Sequence, residues 1–348
     1  MSRSDDQADG PLESTHPRQT TVFFGHRQAE PTLLEAFRGG RIPHAWLLGG
    51  PAGIGKATLA YRMARFVLAH ADPAASAVRA AQTLALDPAL PVVRQVAGQA
   101  HPDLLVLERT ENDKGVLRTE IVVEQVARTV SFFGSTASVG GWRVCVVDSV
   151  DELNPSGANK LLKILEEPPP RSLFLLVSHA PGRLIATIRS RCRRLDMRAL
   201  AEDDLALAAA ALAGARPDDP AIRAAAAAAD GSVARARMFL GGPALALRQR
   251  VAAMLAALPA ADPRALHALG DALGGPADSA ALAAFVEAVR DWLSARLESE
   301  PREPRRLAGV AEVWEKVNRA AQEVEEYNLD RKPLVFAVFG DLAEAARL

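Results

Sequence analysis

Cysteine is nearly absent: Cys145 and Cys192 are the only two in 348 residues. One lies inside an apolar run and the other in a basic one, so there is no disulfide framework and no four-thiolate zinc site. That usage fits a reducing compartment, and a cytoplasmic protein is expected. An excess of one charge is also missing. Forty-one basic residues stand against 42 acidic ones, a formal net charge of -1 with a pI near 6.7. This excludes a protein that binds nucleic acid through overall basicity, and leaves only local DNA contact shared with partners. Long apolar runs are lacking too. Stretches such as residues 205–215 are alanine-rich and too short to cross a bilayer, so no membrane association is expected. Residues 1–20 are polar and carry no apolar segment of a signal peptide; their Asp, Ser, Gln, Pro and Gly content reads as a disordered tail. Lysines number six while alanine and arginine abound, a genome-composition effect rather than a functional repeat. The length suffices for two or three domains, each with its own core.

What is present begins with a phosphate-loop frame. Residues 44–48 read as a buried strand, residues 49–55 as a glycine turn, and Lys56 onward as a helix with apolar positions at Leu59, Met63, Phe66 and Val67. Gly50, Gly53 and Gly55 let successive backbone N–H groups converge on phosphate oxygens, while Lys56 supplies an ammonium and the helix start a positive dipole. The next position should carry a hydroxyl for magnesium. It is Ala57, and Thr58 comes one residue late, turned about 100° around the helix at roughly 3.6 residues per turn. Nucleotide binding is compatible with this frame; metal-assisted cleavage is not.

A second apolar strand, residues 142–148, ends in Asp148, the place of a carboxylate that orients magnesium through water. The glutamate that would polarise the attacking water is replaced by Ser149, which holds no proton-accepting charge near neutral pH. Asp151 and Glu152 read as surface or cap residues. The hydrolytic site has thus lost two separate groups.

A third strand, residues 173–178, ends in the small hydroxyl residue Ser178, and Arg189-Ser190-Arg191-Cys192-Arg193-Arg194 follows. By charge alone such a run is a solvated or nucleic-acid-facing surface. However, Ser190-Arg191-Cys192 resembles the Ser-Arg-Cys motif of the AAA+ clamp-loader ATPases. Residues 158–169 are similar to their Asn-x-Leu-Leu-Lys-x-Leu-Glu-Glu-Pro block, and His44-Ala45 before the loop belongs to the same pattern. The matches run in order over residues 21–197.

The resemblance implies a non-motor subunit. The ATP-hydrolysing gamma and tau members keep a threonine after the loop lysine and an acidic pair at the second strand; this chain has neither. It implies that Arg191, flanked by Ser190 and Cys192, is an arginine finger offered in trans to a neighbour's ATP, and that Gly50, Gly53, Gly55, Lys56, Ala57, Thr58, Asp148 and Ser178 mark a degenerate nucleotide site. ATP would bind there without hydrolysis and magnesium only alongside it. The four-cysteine zinc module of many members is missing, so no metal is expected. The implied partners are the gamma/tau and delta subunits and, through the complex, a sliding clamp and primed DNA.

The same resemblance sets the expected architecture: an α/β core with a parallel sheet over residues 21–197, a three-helix lid over 198–242 and an all-α collar over 243–348. Residues 92–96 and 103–107 read as further strands of the core, and residues 119–132 as a helix. In the lid, Ala234 occupies the place of a sensor arginine, with Arg235 after it. In the last third, Leu247, Val251, Met254 and Leu255, then Leu282, Phe285, Val286 and Val289, then Val310, Val313, Trp314 and Val317 recur at helical spacing. Two other readings fit a phosphate loop. A clamp-loader motor requires a hydroxyl beside Lys56 and a second carboxylate beside Asp148; a small-molecule kinase requires an acceptor pocket and an arginine-bearing lid, where this chain has a separate helical third.

Overall fold

A computed structural model describes residues 16–111, 118–134, 137, 141–240, 243–273, 279–299, 304–327 and 329–346. Its first compact unit ends at Arg235 and its second begins at Ala236. Residues 1–15 of the expected tail and residues 241–242 at the end of the expected lid fall outside the described residues.

The first unit is built on β1 (Ala45–Gly49), β2 (Leu104–Glu108), β3 (Arg143–Asp148), β4 (Ser172–Ser178) and β5 (Arg193–Asp196). They form one five-stranded sheet in the order β2-β3-β4-β1-β5, with every neighbouring pair parallel. The apolar runs in β1, β3 and β4 follow from that topology, since a parallel strand is covered on both faces and has little solvent side to make polar. Around the strands stand α1 (Ala29–Arg38), α2 (Lys56–Ala69), α3 (Ser76–Ala80), α4 (Pro91–Ala97), α5 (Val123–Gly134), α6 (Pro155–Glu166) and α7 (Ala186–Arg191). Leu47, Leu107, Cys145, Val147, Phe174 and Leu176 point to one face, where they share a core with Val126 and Phe133 of α5, Leu161 and Leu165 of α6, and Ile188 of α7. Residues of the other parity, such as Trp46, Leu48, Val144, Val146 and Leu175, are equally buried, and α2 packs against β1, β3 and β4. Asn154 caps α6 by accepting the Gly157 N–H at 2.7 Å, with Pro155 at the first helical position where its missing N–H costs nothing.

Two expectations are corrected. Residues 92–96 are not a strand but the body of α4. Pro91 starts the helix, and Val93 and Val96, one turn apart, are its buried positions against α2; tertiary packing overrides the β-branched run. Residues 16–20 are not a free tail. Arg62 and Arg65 of α2 are 6% and 3% exposed, and buried guanidinium groups require acceptors. Arg65 donates to the carbonyls of Thr20 at 2.7 Å and Arg18 at 3.4 Å, while Arg62 donates to Thr21 and pairs with Glu30 at 2.6 Å. Composition missed this because the segment is held through its backbone.

Beyond the sheet, α8 (Glu202–Ala213), α9 (Pro220–Ala228) and α10 (Val233–Leu240) follow the expected helical periods, and the boundary between the two units falls within α10. Asp219 caps α9, and Gly214 ends α8 in the left-handed region with φ +62°. The second unit carries α11 (Ala244–Ala256), α12 (Pro263–Ala272), α13 (Ser279–Ser299), α14 (Pro304–Tyr327) and α15 (Arg331–Ala345). The apolar positions read from the sequence are buried there, apart from the partly covered Met254 and Trp314. No helix among the described residues is long and apolar enough to cross a membrane.

Candidate functional site

The glycine loop lies between β1 and α2, and its backbone explains its composition. Gly50, Gly53 and Gly55 have φ of +148°, +75° and +98°, a region that strains any residue with a Cβ. At Gly50 an added Cβ would stand 2.2 Å from the Met197 carbonyl oxygen. The first amides of α2 point out of the helix start, where no intrahelical acceptor exists. Lys56, 2% exposed, donates from Nζ to the Gly50 carbonyl at 2.7 Å and to that of Pro51. Burial pushes its pKa down to about 8, against the opposing charges of Asp151 and Asp148.

Parallel registration brings the strand ends together. Gly49 lies level with Ser178 and Asp196, and Asp148 level with Val177 and Glu108. Asp148 and Ser178 therefore share the carboxyl edge of the sheet with the loop, the place where ligands of open α/β sheets bind. Burial raises the Asp148 pKa to about 6; Glu108 adds to the shift, and Lys56 and Arg109 oppose it. Ser149, in the position of the missing glutamate, sits with Oγ 3.0 Å from His179 Nε2. Asp151 corrects the sequence reading. It is turned into the site, accepting from Ser178 Oγ at 2.7 Å and from the His179 backbone N–H. Glu152 pairs with Arg109 at 2.9 Å.

The frame thus suits phosphate in shape, through Gly53, Gly55 and Lys56, although Lys56 is engaged by the loop's own carbonyls. The magnesium set does not fit. Ala57 has no ligand atom, and Thr58 follows it around the first turn of α2.

The segment after α9 closes over the loop. The Ala234 N–H donates to the Gly53 carbonyl at 3.2 Å. A Cβ on Gly53 would lie 2.2 Å from Ser232 Oγ and 2.9 Å from Ala234 Cβ. The small side chain at 234 therefore suits the close approach. Arg235 is turned to Asp230, 3.1 Å away.

The Ser-Arg-Cys residues are elsewhere. Ile188 and Cys192, 1% and 9% exposed, anchor α7 in the core, and burial raises the Cys192 thiol to about 12. Cys192 is thus a packing residue rather than a reactive one. Ser190 is exposed, and Arg193 and Arg194 are exposed on the edge strand β5, a strand that charge patterning concealed. Arg191 stands two residues before Arg193, which is level with Trp46, while the loop starts beyond Gly49. Three strand residues at about 3.3 Å each put roughly 10 Å between those levels. Arg191 is therefore near the strand-start edge, whereas the loop, Asp148 and Ser178 occupy the strand-end edge.

Residues 25–201, just over half of the chain and including the whole sheet, match the family described as "DNA polymerase III, delta subunit". The chain belongs to that family. Among the relatives of this DNA polymerase III family member, subunit delta-prime of Pseudomonas aeruginosa is 40% identical over 185 residues, 53% of this chain and 51% of that one. Delta-prime of Escherichia coli K12 is 31% identical over 163 residues, 46% and 44% of the two chains. Subunit gamma of Buchnera aphidicola is 28% identical over 189 residues, 54% and 47%. The chain spans about half the length of the curated relatives it matches, and the family match ends before the helical second unit.

Sequence reasoning on this family member missed three site residues. Asp151 and His179 flank the recognised Asp148 and Ser178 by one to three positions, a proximity that was the available signal. Glu166 reaches Arg191 Nη2 at 2.8 Å, and only its place in the Glu-Glu-Pro block marked it.

Proposed function

We propose that this chain is a non-motor, delta-prime subunit of a DNA polymerase III clamp loader, presenting Arg191 in trans to ATP held by a neighbouring ATPase subunit. The observation that carries the reading is the separation of the two half-sites. Arg191 lies near one edge of the sheet and the phosphate loop at the other, so the arginine cannot serve its own loop. A guanidinium meets two phosphate oxygens in one plane and stays charged as transition-state charge develops. Its own loop, with Ala57 and Ser149, holds ATP at most, without turnover. Residues 198–242 act as a lid, and residues 243–348 as a collar that joins the gamma/tau and delta subunits. The assembly opens a sliding clamp and places it on primed DNA.

The test is ATP turnover by a loader reconstituted from ATPase subunit, delta, clamp, primed DNA and either this chain or Arg191→Ala. The variant should assemble yet slow turnover steeply, since fingers contribute on the order of 10³–10⁵ at the site they serve. Arg191→Lys should not restore it, because an ammonium lacks the planar fork. Unchanged turnover in Arg191→Ala overturns the trans reading, and turnover by the isolated chain overturns the non-motor reading.

A further inference from the structure

The Arg191 guanidinium is held by its own chain. Nη1 donates to the Thr187 carbonyl at 3.0 Å and to Ser190 Oγ at 3.3 Å, and Nη2 pairs with Glu166 Oε1 at 2.8 Å. The first two contacts are local to α7, where the Thr187 carbonyl also accepts the Ser190 hydroxyl at 3.0 Å. Among the described residues, Glu166 supplies the one contact from another element. It closes α6, which packs on α7 through the core shared by Leu161, Leu165, Ile188 and Cys192.

We infer that Glu166 is the latch that holds Arg191 in the unassembled chain and sets how readily the arginine is handed to a neighbour's terminal phosphate; this rests on the trans reading above. Three features support it. A carboxylate at the last residue of a helix faces the negative end of the dipole, so the site is poor for Glu166 unless a cation answers it. Both side chains are partly exposed, 34% for Arg191 and 42% for Glu166, and an ion pair of that kind is weak enough to exchange. Finally, carboxylate and phosphate compete for the same donors and repel each other, so the two cannot share the fork at full strength. Glu166 is a positioning residue, acting only through Arg191.

A latch that must open before nucleotide is gripped raises KM and leaves the chemical step alone. The experiment compares ATP kinetics of reconstituted loaders carrying the parent chain, Glu166→Gln, Arg191→Ala and the double variant. Gln keeps the size and an acceptor oxygen while removing the charge. Glu166→Gln should lower KM by about two- to fivefold, the range of an exposed pair, and leave kcat unchanged. In the Arg191→Ala background the same substitution should do nothing, an outcome that a merely structural role would not produce. A lower kcat, an unchanged KM, or an effect that persists without Arg191 overturns the latch. If Arg191→Ala itself leaves turnover intact, it is the trans reading that has failed.

Discussion

Asp151 accepts the Ser178 hydroxyl at 2.7 Å, bonding the segment after β3 to the end of β4. Ser178 is fully buried, so its hydroxyl depends on this carboxylate. The same residue accepts the His179 N–H, and its charge acts on Lys56. The strand-end site is therefore internally satisfied at both Ser178 and Lys56.

Removal of that acceptor should be felt in stability. Asp151→Ala leaves a buried hydroxyl and an amide unpaired, a loss of about 1–3 kcal/mol. Asp151→Asn keeps one acceptor oxygen and should lose less. Urea denaturation of the two variants against the parent reads the difference; equal midpoints for all three would show that water replaces the carboxylate without penalty.

The closure over the loop predicts a second loss. Gly53→Ala puts a Cβ against Ser232 Oγ and Ala234 Cβ at a backbone φ of +75°, and left-handed backbone alone costs a non-glycine residue about 1 kcal/mol or more. We expect a loss of about 1–3 kcal/mol, partly recovered by adding Ser232→Ala. Thermal unfolding of the single and double variants measures it, and a neutral Gly53→Ala would mean that the segment lifts away freely.

Asp148 predicts a pH dependence. Its folded pKa of about 6 exceeds the ordinary 3.8, so between those values the folded chain binds the proton more tightly than the unfolded chain. Its contribution therefore falls as pH rises through that window, and the full penalty remains above pH 6. Asp148→Asn should escape the penalty, gaining about 1–3 kcal/mol over the parent at pH 7–8 relative to pH 4. Stability curves of the pair across pH 4–8 test this, and a pH-independent difference would refute it.

The cysteines predict a chemical outcome. Cys145 is fully buried and Cys192 is 9% exposed, and burial raises both thiols above their ordinary value. Since the thiolate is the reactive form, a thiol reagent near neutral pH should modify the native chain slowly and both cysteines rapidly in denaturant. Fast native labelling at Cys192 would place α7 outside the core.

The glycine loop was readable in residue order because its pieces are local. A turn with positive φ needs glycine, and Gly50, Gly53 and Gly55 declare it; the absence of a hydroxyl at 57 and of a glutamate at 149 is read directly. The apolar runs read at 44–48, 142–148 and 173–178 fall within a residue of the strands at 45–49, 143–148 and 172–178, and three helices were expected over 198–242, where α8 to α10 lie. The segment 92–96 misled because its three valines suit a buried strand, while Val93 and Val96 also share one face of a short helix, and only the neighbouring α2 decides between the two.

The sequence by itself determined which chemical groups this protein has and lacks: a lysine after a glycine turn, no hydroxyl at 57, no glutamate at 149, and an arginine in a Ser-Arg-Cys setting. Tertiary structure alone decided where they meet. Strand register put Asp148 and Ser178 beside the loop and Arg191 near the opposite edge, folded Asp151 onto Ser178, laid Ser232 and Ala234 on Gly53, and set Glu166 against Arg191. Side-chain chemistry belongs to single residues and backbone propensity to short windows, whereas these meetings join segments up to about 180 residues apart, through packing that no local window contains.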